Sequence, residues 1–467
     1  MAETLCKLSL SEAVGMLRRR EISALDLTES CISRIEALQA ILNAFITCDH
    51  DAARAEAKRL DAEAARGQWR SALHGIPLAH KDMFDRPGRR VTHGSRLHAG
   101  RIATETATVL EKLDVAGAVD LGGLNMSEFA CNPFGLNTLV GPAVNPWNPA
   151  RIAGGSSSGS AAAVAAGLVF GSLGSDTGGS VRLPGAFCGL VALLPTRGCI
   201  SRFGAMKLSP SLDAVGPLGR RVRDCALIFD HVAGPDPRDS STIGGLSPVV
   251  NVLDRPAGGI AVGLPAARFI QKFTPAARAG IEAGIDALRR SGARLLDASM
   301  PDFNGLNAMA AIVMLPEMAA VHAHNLKRYA ADYTPWVHDR LSSGFDIAAA
   351  DYARALAIRG KVTQAFIEDQ LADVDALLLP IATESPPRLD EILDEFTGLR
   401  TPRPDLGHYT RWTNYLGLPA LTVPCGLDGD RLPIAVQLVG RPFSEPRLFQ
   451  IGQEIERNTT PLEIPVL

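Results

Sequence analysis

The chain has 467 residues, a formal net charge of −3 and 46% hydrophobic residues. That is enough apolar material for a sizeable core, and it gives no electrostatic case for binding nucleic acid. The N-terminus carries no apolar signal core, and the longest apolar run, Ala161–Gly171, falls well short of the roughly 20 residues a membrane helix needs. The eight cysteines include no C-x-x-C pair, which argues against zinc and against a disulfide framework. A cytoplasmic protein is expected.

In chain order, Arg18-Arg-Arg20 reads as the solvated end of a short helix. Ser23–Ala40 reads as an amphipathic helix with Ser23 as its N-cap, and Asp51–Arg66 as a charged, alanine-rich one. The segments Ile76–Ala79, Ala116–Leu121, Leu168–Leu173, Ile260–Gly263 and Ala376–Leu379 read as short buried strands. Pro235–Thr242 with Gly244-Gly245 is a turn-rich connector, and residues 303–372 look helical and able to cap a site. This alternation predicts one large α/β domain spanning residues 1–467. Its centre is expected to be a mixed, mainly parallel sheet covered by helices on both faces.

The chemistry concentrates in two glycine-flanked serine runs, Ala153-Gly-Gly-Ser-Ser-Ser-Gly-Ser160 and Ser175-Asp-Thr-Gly-Gly-Ser-Val-Arg182. Such loops leave little bulk around a hydroxyl and let backbone N–H groups converge on one point. A serine nucleophile needs a base, and Lys81 stands at the end of the apolar run Ile76–Ala79. A lysine drawn into a dry site loses its proton more readily, because desolvation penalises the charged form.

Other readings of these residues fail on context. Gly155-Ser-Ser-Ser-Gly159 fits G-x-S-x-G with Ser157 as nucleophile. The preceding Asn145-Pro-Trp-Asn-Pro149 is no central strand, however. No lysine has a serine three positions before it, which removes S-x-x-K, and no Gly-Lys-Ser/Thr follows the glycines, which removes a phosphate loop. His74 and His80 read as packing or hydrogen-bonding residues. His322 and His324, two apart, point in different directions on a helix.

Taken together these runs resemble the amidase signature family, the enzymes with a Ser–Ser–Lys triad. The resemblance extends from about residue 70 to about residue 445, with a signature core at about 70–220. It is carried by Gly75-Ile-Pro77 with Lys81-Asp82, Asn125-Met-Ser-Glu-Phe129, Asn145-Pro-Trp-Asn-Pro149 and the two serine runs. Phe187-Cys-Gly189, Ser211-Leu-Asp213, Gly216-Pro217, Gly417-Leu-Pro419 and Leu432-Pro-Ile-Ala-Val-Gln437 complete it.

The resemblance implies Ser180 as the acylating nucleophile, Ser156 as a proton relay on a cis peptide bond, and Lys81 as base and then acid. It implies an oxyanion hole from the amides of Thr177, Gly178, Gly179 and Ser180, and loop support from Ser157, Asp176 and Arg182. Ser158 and Ala153 depart from the family's usual glycine and proline.

The resulting expectation is an amidohydrolase that cleaves a carboxamide C–N bond through an acyl-enzyme, without metal or organic cofactor. Its partner would be a small amide substrate, with no nucleic acid and no membrane; a homodimer is left open. The alternative is the glutaminase subunit of a tRNA-dependent amidotransferase, which would need a site for the substrate's α-amino and α-carboxylate groups. A non-catalytic binding protein on the same fold fits poorly with an intact triad. An apolar acyl pocket is expected from Met126–Phe134, Phe203–Leu208, the 303–345 helices and Trp412. Phe203, Met206, Met309 and Met314 are its candidate walls.

Overall fold

The computed structural model describes residues 5–255, 258–271, 273–382, 384–396 and 405–467. The first long helix, Ala24–Leu42, starts where its sequence signal stands. Ser23 accepts from the Asp26 amide, and the Asp26 carboxylate accepts from the Ser23 amide, which satisfies two free N–H groups at once. The helix His50–Ala65 follows, capped by Asp49. Arg18 closes the helix Leu10–Arg18 as an exposed residue, its guanidinium 4.4 Å from the Trp69 ring.

Three strands, β1 (Phe45–Cys48), β2 (Pro77–Lys81) and β3 (Val119–Leu124), form a small sheet in the order β1-β3-β2. β4 (Val144–Asn145) and β5 (Asn148–Ile152) pair around Pro146-Trp147 as a separate antiparallel hairpin. The main sheet is built from β6 (Gly171–Asp176), β7 (Val191–Leu194), β8 (Ala214–Gly219), β9 (Ala261–Pro265), β10 (Arg294–Ala298), β11 (Ala376–Pro380), β12 (Ala420–Leu427) and β13 (Pro433–Gly440). Its order is β10-β9-β11-β13-β12-β7-β8-β6.

The architecture is the expected one, a large α/β domain on a mixed sheet, but the sheet is not mainly parallel. Of its seven pairings only β9–β10 and β9–β11 are parallel. A parallel neighbour requires a crossover of a dozen or more residues. β12 and β13, which the strand pattern did not single out, form a hairpin joined by a short turn. β8 inserts between β6 and β7 and runs against both, so the short helix Arg182–Phe187 creates no parallel neighbours.

Helices cover both faces. Side chains alternate along a strand. Gly284 of the helix Pro275–Arg290 meets Val436 and Leu378, while Gly452 of the helix Glu445–Arg457 meets Leu421 and Val423 on that same face. Gly185 of the helix Arg182–Phe187 lies against Ala192 on the opposite face. On this second face a helical layer, Phe303–Arg328, Pro335–Ser342 and Ala349–Gln370, fills the stretch expected to cap a site. Among the described residues, Phe303–Arg328 alone is long and apolar enough to cross a membrane. Half of its most apolar window is buried inside the protein.

Two close approaches set the site. β2 lies beside β6, where the Leu173 amide donates to His80 Nδ1 at 3.1 Å, so the end of β2 reaches the end of β6. β8 passes so near β7 that a Cβ on Gly216 would stand 2.1 Å from the Leu193 carbonyl oxygen. Backbone cannot yield as a side-chain tip can. Gly216→Ala is expected to lower unfolding free energy by about 1–3 kcal/mol, as overpacking does, measured by urea denaturation. An unchanged midpoint would contradict the approach.

Candidate active site

β2 delivers Lys81 and β6 delivers the run ending in Asp176, both into the interior. The Lys81 side chain is buried, with Nζ 2.6 Å from Ser156 Oγ and 2.9 Å from Ser175 Oγ. Burial lowers its pKa from about 10.5 to about 7, against the opposing pull of the Asp176 and Asp213 carboxylates. An amine that is neutral near pH 7 can accept a hydroxyl proton. Ser156 is fully buried and follows a cis peptide bond from Gly155. Its carbonyl accepts from the Ser127 amide at 3.0 Å.

Ser157 and Ser158 lead into the helix Ser158–Ala165. Ser158 takes an ordinary helical position there, so the departure from glycine brings no left-handed backbone. The Ser157 amide donates to the Ser180 carbonyl at 3.2 Å, and its hydroxyl to the Ser175 carbonyl at 3.4 Å, which ties the two serine runs together.

The second run bends around a buried ion pair. Asp176 and Arg182 are both fully buried, with Nη2 and Nε each 3.0 Å from the carboxylate. Burial alone would push the Asp176 carboxyl up, but the charge and hydrogen bonds of Arg182, the Gly179 amide and the Asn414 side chain hold it below the ordinary value. Arg182 also donates to Thr413 Oγ1, the Thr410 carbonyl, Asn414 Oδ1 and Gln437 Oε1. One arginine therefore binds the serine loop to the helix Arg411–Leu416 and to β13.

Gly179 sits at φ +119, and a Cβ there would lie 2.2 Å from Thr410 Oγ1, so only glycine fits. Its amide donates to Asp176 Oδ1 at 2.7 Å. This corrects the expected oxyanion set: the Gly179 N–H is already taken. Among the described residues the amides of Thr177, Gly178 and Ser180 have no protein acceptor, which leaves three N–H groups free to donate. The Thr177 hydroxyl donates to Asp213 Oδ1 at 2.6 Å.

Ser180 is partly exposed and lines a cavity of about 330 Å³ together with Thr177 and Gly178. Its apolar wall is Phe134, Met314, Met318, Trp336 and Leu406. Of the candidate pocket residues, Met314 is thus in place, as is the segment Ala130–Phe134. Phe203 and Met206 are not; they line a separate cavity of about 360 Å³ that reaches Ser175. Trp412 is fully buried in the core and Met309 packs against it. His80 and His74 make backbone hydrogen bonds, as expected.

Three charged residues in the Ser180 cavity were missed from the sequence: Arg340, Asp405 and Arg411. Asp405 and Arg411 pair with each other at 2.6 and 2.7 Å. Arg340 has no ion-pair partner among the described residues, and its buried Nε makes no hydrogen bond. The Cys131 thiol is within hydrogen-bonding reach of it. Burial lowers the Arg340 pKa and pushes the Cys131 thiol up to about 12. Nothing local in the sequence marks Arg340. Ser175 and Gln437, by contrast, stand within runs already singled out.

The chain has relatives among known proteins. Residues 26–449 match the family model described as Amidase. The chain is 38% identical to the A subunit of the glutamyl-tRNA(Gln) amidotransferase of Anaeromyxobacter dehalogenans strain 2CP-C, over 99% of each protein. It superposes at a TM-score of 0.89 and 34% identity on a chain of an inhibitor-bound "vestigial protein complex" linked to the origins of an s-triazine catabolic enzyme. That match covers 98% of this chain and 100% of the other. The peptide amidase of Stenotrophomonas maltophilia gives a TM-score of 0.86 at 27% identity, with 98% of both chains covered.

If Lys81 acts as the base, it must be neutral before the serine attacks. Its neutral fraction rises with pH, so kcat/KM is expected to climb about tenfold per pH unit below a pKa near 7 and then level off. Lys81→Ala should remove that limb and slow an amide far more than an activated ester, whose leaving group needs no proton. Equal slowing of both substrates, with the limb retained, would contradict the assignment.

Proposed function

We propose that this chain, which belongs to the amidase family, hydrolyses the carboxamide of a small substrate that carries a carboxylate, with glutamine as the leading candidate. The observation that carries this reading is Arg340, a guanidinium without an ion-pair partner among the described residues, in the wall of the cavity that holds Ser180. The half-buried guanidinium lies over the Trp336 ring at 5.4 Å and feels the Asp405 carboxylate only from beyond ion-pair distance, so a ligand carboxylate would supply a direct anionic partner. Arginine also matches a carboxylate with two parallel hydrogen bonds. Asp405, on the same wall, is a candidate for an α-amino group, sharing its charge with Arg411.

The triad roles follow the resemblance. Ser180 Oγ attacks the amide carbon, its proton passing to Ser156 and the Ser156 proton to neutral Lys81. The developing oxyanion sits among the amides of Thr177, Gly178 and Ser180. Lys81 returns the proton through Ser156 to the leaving nitrogen, the C–N bond breaks and ammonia departs. Water then attacks the acyl-enzyme, giving the free acid and regenerating Ser180. Asp176, Arg182 and Ser157 hold the loop in this geometry.

Curated relatives that carry the name of the glutamyl-tRNA(Gln) amidotransferase A subunit support glutamine as substrate and partner subunits as company. The partner-free amidohydrolase, first in order from the sequence alone, becomes the second reading. The apolar walls Phe134, Trp336 and Met318, and the likeness to a peptide amidase, favour it. In the relatives' name a transfer RNA belongs to the reaction of those proteins, so the expectation of no nucleic acid narrows to direct contact by this chain.

The test is ammonia release from glutamine, with and without partner subunits, compared with neutral amides. Arg340→Gln is expected to raise KM for glutamine by at least about tenfold, or about 1.4 kcal/mol, while sparing butyramide. A KM for glutamine unchanged by Arg340→Gln would overturn the carboxylate reading. Efficient turnover of neutral aryl or alkyl amides, with none of glutamine, would favour the second.

A further inference from the structure

Asn125-Met-Ser-Glu-Phe129 carried part of the family resemblance, but no role in the chemistry falls to it. Its glutamate is unusual. Glu128 is fully buried and has no ion-pair partner among the described residues. Its carboxylate accepts three hydrogen bonds: Ser95 Oγ at 3.0 Å on one oxygen, and the Thr334 amide at 3.1 Å and Thr334 Oγ1 at 2.7 Å on the other. Removing a carboxylate from water without a cation is expensive, and neutral donors repay it only in part. Apolar residues of similar size commonly serve stability as well or better.

What the carboxylate joins explains its position. Thr334 is the N-cap of the helix Pro335–Ser342, and among the described residues its own amide finds an acceptor only in Glu128. Two residues of that helix, Trp336 and Arg340, line the Ser180 cavity. On the other side, Glu128 belongs to the segment whose Ser127 amide donates to the Ser156 carbonyl and whose Cys131 reaches Arg340. Phe129 and Ala130 hold left-handed backbone at φ 46 and 57. Two consecutive non-glycine residues in that region persist only where their surroundings fix them. The Phe129 ring does this between His322 and Tyr333, at centroid distances of 4.6 and 5.3 Å.

We propose that Glu128 is a positioning residue for substrate recognition: its carboxylate fixes the N-terminus of the helix Pro335–Ser342 and so sets Arg340 at its working distance from Ser180. It touches neither substrate nor triad side chain and acts through Thr334 and the helix. This inference rests on the carboxylate reading of Arg340 and adds to it the device that holds the arginine in place.

The test uses the full-length chain with Glu128→Gln, Arg340→Gln and the double variant, on glutamine and on butyramide, together with amide hydrogen exchange of residues 335–342. Glu128→Gln keeps the shape but turns a donor toward the Thr334 amide or hydroxyl. The expected result is a KM for glutamine raised by about fivefold or more with kcat within about twofold, and kcat/KM for butyramide within about twofold of wild type. In the double variant the KM should equal that of Arg340→Gln alone, because both changes act on one contact. Exchange protection of 335–342 should fall while the melting temperature holds. Equal losses on both substrates, additive effects, or unchanged protection would each overturn the proposal. If Glu128→Gln fails to fold, Thr334→Val, which removes one of the three hydrogen bonds, is held to the same expectations. Should Arg340→Gln itself leave glutamine binding untouched, the carboxylate reading falls, while exchange at 335–342 still decides whether Glu128 holds the helix.

Discussion

The site depends on keeping one lysine dry. Lys81 lies at the end of β2 with two serine hydroxyls as its hydrogen-bond partners, and burial alone drives its amine toward neutrality. Two carboxylates oppose that, Asp176 and Asp213. Arg182 has its place in this balance. It pairs with Asp176, whose carboxylate still pulls against the loss of the Lys81 proton, and it ties down the loop that carries Ser180. Asp213 is in turn occupied by the Thr177 hydroxyl and by the Leu208 and Ser209 amides, and burial raises its pKa. The electrostatics of Lys81 and the geometry of the loop that carries Ser180 thus share the residue Asp176.

On the proposed reading, chemistry and recognition are supplied by different parts of the chain. The residues proposed as triad and oxyanion donors lie between Lys81 and Ser180. The cavity in front of Ser180 is closed by the helices Phe303–Arg328 and Pro335–Ser342 and by Asp405–Arg411. Two buried carboxylates link the layers. Glu128 binds Thr334, and Glu317, on the helix Phe303–Arg328, accepts from Ser209 and Ser211 beside Asp213. On the proposed reading, a fold that separates its reaction centre from its substrate wall in this way can change substrate while retaining its base and nucleophile.

What the sequence disclosed was local. Ser23 and Asp26 cap a helix within four residues, Lys81 ends an apolar run, and glycines mark where Ser156 and Ser180 turn. Long-range pairing was not legible in the same way. Nothing in β6 or β7 announces that β8 will lie between them, and the insertion of β8 together with the antiparallel pairings of β12 and β13 makes the mixed sheet mainly antiparallel where mainly parallel was expected. The oxyanion amides show the same limit at atomic scale: only the fold reveals that Asp176 takes the Gly179 N–H. Arg340 and Asp405 carry no local signal, since their meaning comes from a cavity assembled by segments more than two hundred residues apart in sequence, such as Ala130–Phe134 and Asp405–Arg411. The apolar side chains expected in that cavity were partly misplaced for a related reason, because Trp412 serves the core.

The central claim is that Ser180, and neither of the buried serines beside it, is the acylated residue. Treating the enzyme with a fluorophosphonate and mapping the adduct by peptide mass spectrometry tests it directly. The account predicts a single stoichiometric adduct on Ser180, formed faster as pH rises through about 7 in step with the loss of the Lys81 proton. An adduct on Ser156 or Ser157, or labelling of Ser180 at a rate indifferent to both pH and Lys81→Ala, would contradict it.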